Sequence, residues 1–129
     1  MSLTAETRSW PEVVNFYRKL VADSACDLGP MLALVESIAS SPYSAALFPA
    51  TSMARLCIAR THTIRWRHEM LTIEYDPIGE RFVFEYFEAS PSPQPWVTSC
   101  LAREGQSRFE RLLKKRLRWF KDSRRPSDA

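Results

Sequence analysis

His62 and His68, together with Cys26, Cys57 and Cys100, are the side chains in this sequence best suited to hold a metal or attack an electrophile. Their spacing matches no zinc motif, and no two cysteines lie close enough in sequence to form half of a closed site. Cys57 is near both histidines, so a thiolate–imidazole pair is the one nucleophilic arrangement to consider. Such a pair needs a third group to orient the base, and none identifies itself. A small hydrophobic cysteine buried in a strand is the competing reading. Glu74 with Glu85, or Asp76 with Glu80, could act as paired carboxylates, but on a hairpin they read more simply as solubilising charges. Gly29, Gly79 and Gly105 are too scattered for a phosphate loop or a dinucleotide turn. No catalytic residue, metal ligand or cofactor is assigned on these grounds.

The remaining chemistry is electrostatic. The stretch "RFERLLKKRLRWFKDSRR", residues 108–125, holds nine of the eighteen basic side chains and two acids. That is a formal +7, against −4 for the rest of a chain whose total is +3. At 100° per residue, Phe109, Leu112, Leu113, Leu117, Trp119 and Phe120 fall within one arc, with Arg116 inside it. Arg108, Arg111, Lys114, Lys115, Arg118 and Lys121 take the opposite side and form the candidate binding face. Six cations there could neutralise phosphates or carboxylates. The plainer account is a terminal helix that closes the core while its long basic stems stay wet. An acidic group, Glu69, Glu74, Asp76, Glu80, Glu85 and Glu88, is a candidate counterpart within one molecule or between two.

Elements that position these groups follow from periodicity. Ser9 and Glu12 have the form of a capping box, with Pro11 in the first turn, and Val13, Tyr17, Leu20 and Val21 recur at helical spacing; a helix is predicted over 10–22. Asp27, or Gly29 with Pro30, opens a second helix through Ile38, and Ser41–Pro42 begins one or two further turns that stop at Pro49. Strands are predicted at 55–60, 64–75 and 81–88. The second changes parity between His68 and Leu71, which calls for a bulge or break near Glu69–Met70. "DPIG", residues 76–79, suits a type I turn with Gly79 at positive φ, pairing Tyr75 with Arg81. A loop one residue longer would pair Tyr75 with Phe82 and gather the aromatics on one face. Turn chemistry favours the first register. "ASPSPQP", residues 89–95, reads as an extended connection to the last helix, which starts at Thr98 or at Ser107. Phe82, Phe84 and Tyr86 alternate as stacking residues do in sheet-based RNA binders, although core aromatics are the commoner case. Trp66 and Trp96 suit either a core or an interface.

The expected fold is α+β: two N-terminal helices, a three-stranded antiparallel β-meander and a long amphipathic C-terminal helix packed on the sheet. One domain spans 1–122, with a flexible basic tail at 123–129. Composition is that of a globular protein, with neither a signal peptide nor a transmembrane run. The odd, dispersed cysteines fit a cytoplasmic location. The expected function is a non-catalytic binding or regulatory module that engages another protein, or itself as a homodimer. A nucleic-acid-binding protein using the basic helix face comes second and a small enzyme third. Peripheral attachment to an anionic membrane ranks below the protein and nucleic-acid partners.

Overall fold

The capping box at Ser9 shows how closely local chemistry sets this structure, a computed structural model that describes residues 4–23, 27–65, 69–87, 96–117 and 119. A short strand, β1 (Thr4–Glu6), leads into α1 (Trp10–Asp23). The Ser9 N–H donates to Glu12 Oε1 at 2.9 Å and the Glu12 N–H donates to Ser9 Oγ at 3.2 Å, so two otherwise unpaired donors are satisfied reciprocally. These bonds hold the Glu12 carboxyl below its usual range. Helix α2 (Gly29–Ala39) starts with Pro30 in its first turn and the Gly29 N–H donating to Asp27 Oδ1. A 3-10 turn, Pro42–Ala46, follows.

The chain then builds β2 (Phe48–Ser52), β3 (Arg55–Ala59), β4 (Thr63–Arg65), β5 (Met70–Asp76), β6 (Arg81–Phe87) and β7 (Trp96–Leu101). The main sheet is antiparallel with five strands, in the order β2-β3-β5-β6-β7, while β1 and β4 form a separate two-stranded ribbon. The expected three-stranded meander is therefore corrected to five strands. β2 was hidden by Pro49, which an edge strand tolerates because its missing N–H can face away from the ladder; the Pro49 carbonyl accepts from the Arg8 N–H at 2.8 Å. β7 was hidden because the connection at 89–95 was expected to lead into a helix starting as early as Thr98, inside the strand. The parity change in 64–75 falls between β4 and β5, which belong to different sheets.

Register is the second correction. Tyr75 pairs with Phe82, Ile73 with Phe84 and Leu71 with Tyr86, leaving Asp76 opposite Arg81. Burial outweighed turn preference: this register puts Leu71, Ile73, Tyr75, Phe82 and Phe84 on one face, all in the main core. The turn also differs from expectation. Asp76 Oδ1 accepts from the Ile78 N–H at 3.0 Å, and Glu80, not Gly79, adopts positive φ (53°). A Cβ at Gly79 would lie 2.8 Å from Asp76 Oδ2, so a larger residue there would have to turn that exposed carboxylate aside.

All three helices cover this same face. Val13, Tyr17, Met31, Val35, Ile38, Phe109 and Leu113 are fully enclosed against Leu56, Ile58, Leu71, Ile73 and Phe84. A smaller cluster on the other face joins Ala50, Cys57, Ala59 and Met70 to Ile64 of the ribbon. The C-terminal helix is the third correction. It is not long: a 3-10 turn, Ala102–Glu104, runs into α3 (Gly105–Arg111) and then into a π turn, Leu112–Arg116, 15 residues altogether. Residues from Thr98 that were expected to open it belong to β7. The Leu101 N–H donates to Glu104 Oε1 at the actual start. No helix among the described residues is long and apolar enough to cross a membrane. The expected tail at 123–129 and the connection at 89–95 lie outside the described residues.

A basic groove between the edge strand and the last helix

The π turn decides which cations share a surface. The Leu117 N–H donates to the Leu112 carbonyl at 2.8 Å, a bond spanning five residues instead of four. The wider turn delays every later residue by about one position, roughly 100° around the axis. Arg116, which regular helical phase places in the middle of the apolar arc, is carried out to the surface, and Leu117 packs inward instead. There the Arg116 guanidinium lies over the Trp96 ring, 4.5 Å from its centroid. Cation–π contacts of this kind stabilise by about 0.5–1 kcal/mol at exposed sites.

Trp96 and Thr98 of β7, with Arg108, Arg111, Leu112, Lys115 and Arg116, line a groove of about 320 Å³. Arg108 forms its back wall, donating from Nη1 to Thr98 Oγ1 at 3.3 Å and to the Ser99 carbonyl at 3.1 Å. Arg111 and Lys115 are exposed along the rim, and Leu112 is buried beneath them. The groove thus has an apolar floor and four converging cations. Pockets with a few placed charges over an apolar base are the usual form of a binding site.

Of the six cations expected to act together, Arg108, Arg111 and Lys115 meet here. Lys114 points elsewhere, with Nζ 5.8 Å from the Tyr43 ring centroid beside the 3-10 turn of residues 42–46. Arg118 and Lys121 lie outside the described residues. Arg116, Trp96 and Thr98 were missed as members of this surface. Only Trp96 had carried a signal, as a tryptophan suited to an interface. The acidic hairpin does not neutralise the groove through the ion pairs Arg55–Glu85 (3.5 Å) and Arg60–Glu69 (3.2 Å), which use cations in and just after β3.

A second cleft, about 360 Å³, separates α2 from the start of α3 and is lined by Pro30, Ala33, Leu34, Phe82, Ala102 and Gly105 among others. It marks where small residues leave the two helices incompletely packed, and it gathers no set of like charges.

The other chemistries fare less well. Cys57 is wholly buried, and burial pushes its thiol pKa up to about 11, which keeps it protonated and unreactive near neutrality. His62 is exposed and its ring lies tilted against Phe48, with centroids 4.2 Å apart. His68, Trp66 and Cys26 lie outside the described residues. Among the described residues, no three His, Cys, Asp or Glu side chains come together as metal ligands would. Phe82 and Phe84 are buried under the helices, and Tyr86 meets Trp119 edge to face at 6.1 Å, so that aromatic row offers no open stacking platform. Comparison with known protein families, with curated proteins and with solved structures finds no match to this chain.

Proposed function

We propose that the protein is a non-catalytic binding module that engages another protein through the groove between β7 and α3. The observation that carries this reading is the convergence of Arg108, Arg111, Lys115 and Arg116 over the Trp96–Leu112 floor, on a surface open to solvent. A π turn brings Arg116 into this set, and such turns recur at functional sites. Arginine forks and an aromatic anchor are the groups enriched where proteins bind one another, and the cations favour a partner bearing carboxylates. Nucleic acid is the weaker alternative, because Trp96 is the single aromatic ring among the lining residues and Arg116 already lies over it, which leaves no row of rings for successive bases.

Selection of random peptides displayed on phage tests the reading, with the wild-type protein and the Arg111→Glu/Lys115→Glu variant as parallel baits. Acid-bearing peptides should be enriched on the wild type and lost on the variant. Equal enrichment on both baits would overturn the assignment of the groove.

A further inference from the structure

Strand β7 is an edge of the main sheet, and its outer side adjoins the groove. The Ala102 N–H donates to the Glu80 carbonyl at 3.0 Å, which fixes the alternation along β6–β7: Cys100, Thr98 and Trp96 exchange backbone bonds with β6, while Val97, Ser99 and Leu101 direct theirs outward. The outward groups nearest the helix are already engaged. Leu101 N–H is held by Glu104 Oε1 and the Ser99 carbonyl by Arg108. The N–H and C=O of Val97 and the N–H of Ser99 remain, and no strand among the described residues pairs with them. Exposed edges of this kind recruit extended chains.

Resting on the groove reading above, we infer that the ligand is an extended acidic segment of another protein, which adds to β7 as a sixth strand. Its backbone would pair with Val97 and Ser99. Because side chains alternate across a strand, every second residue would project over the groove beside Trp96 and Thr98, toward Arg108, Arg111, Lys115 and Arg116. Carboxylates at those positions complement the cations. The intervening residues would lie on the opposite sheet face beside Val97, whose side chain is 52% exposed. A second copy of this chain is a poor occupant: pairing β7 with β7 about a two-fold axis places the same four cations against their own images, and like charges in juxtaposition oppose association.

The test uses fluorescein-labelled octapeptides of alternating Glu and Val, followed by anisotropy with the full chain. Two further peptides carry backbone N-methyl groups, one on every Glu and one on every Val. A Lys–Val octapeptide and a single-stranded DNA octamer complete the set. The Glu–Val peptide should bind and weaken with salt. One N-methyl set, whichever places methyl groups toward β7, should lose at least tenfold in affinity while the other binds nearly as the parent, and the Lys–Val peptide should not bind. Val97→Pro removes an outward donor without touching the β6 ladder, and should abolish binding while leaving the circular dichroism spectrum and melting transition in place. If both N-methyl sets bind like the parent and Arg111→Glu/Lys115→Glu still abolishes binding, strand addition is wrong and the groove reading stands. If the charge reversal leaves binding unchanged, the groove reading itself is wrong. Failure of the Glu–Val peptide to bind, tighter binding of the DNA, or a complex containing two protein chains would each overturn the inference.

Discussion

Replacing Gly105 with alanine probes how closely the last helix is seated, and hence how firmly the groove is held. A Cβ at this position would lie 2.6 Å from Cε2 and 2.7 Å from Cδ2 of Phe82. Carbon atoms in contact rest about 3.5–4.0 Å apart, so roughly 1 Å of movement is required. Phe82 is 1% exposed and is flanked by Tyr75 and Phe84, with ring centroids 5.2 and 6.5 Å away, so it can give way only toward the cleft between α2 and α3 that it lines with Gly105. Overpacking a filled core costs about 1–3 kcal/mol. Against this stands the helix propensity of alanine over glycine, about 1 kcal/mol in a helix interior and less at a first helical residue such as Gly105. The expected net loss is about 1–2 kcal/mol, seen in urea denaturation as a lower midpoint at unchanged slope. In a Phe82→Leu background, where the ring is gone, the same glycine substitution should cost less, because the two positions are coupled. A Gly105→Ala protein as stable as the wild type would refute the close seating of α3 on β6.

Further expectations concern the caps, the thiols and the groove. Ser9→Ala should lower stability by about 1 kcal/mol through loss of the N-cap oxygen, measured by denaturant melts. Glu12, whose folded pKa is lowered, stabilises the fold above its unfolded value near 4.5; that contribution should disappear as pH falls through the lower folded value, and Glu12→Gln should flatten this part of the acid profile. Cys57 works in the opposite direction. Its folded pKa is raised from about 9 to about 11, so its contribution is complete below pH 9 and is lost as pH rises toward 11. Near neutrality the buried thiol carries on the order of a hundredfold less thiolate than an ordinary cysteine, so Cys57 should resist iodoacetamide until the protein is unfolded, as peptide mapping by mass spectrometry would show. Trp96→Ala should weaken acidic-peptide binding at least tenfold, since it removes the floor and the partner of Arg116, and should also lower the melting temperature, because the ring packs against the main core.

Where one local rule acted alone, the sequence was readable. Ser9 and Glu12 announced α1, and Gly29–Pro30 announced α2, because caps and first-turn prolines satisfy helix ends whatever surrounds them. Where two rules competed, it was not. Asp76, Pro77 and Gly79 argued for one hairpin register, and the burial of Ile73, Tyr75, Phe82 and Phe84 imposed the other. β2 was obscured by Pro49 and β7 by the prolines before it, since both are edge strands in which tertiary pairing overrides weak local preference. The basic face was legible as a segment and not as a constellation. One widened turn reassigned Arg116 from core to groove and left Lys114 on another side, and a change of helical phase of that kind has no marker in the hydrophobic pattern.

The central claim is that β7 and the π turn together build a receptor for an acidic extended chain. Titrating the isotopically labelled protein with the Glu–Val octapeptide and following its NMR spectrum tests that claim most directly. The account predicts that the backbone amides of Val97 and Ser99, the Trp96 indole N–H and the Arg108 and Arg116 Nε–H signals move together and saturate at one peptide per chain. Shifts confined to the α1–α2 side, or spread evenly over every exposed basic residue, would contradict it.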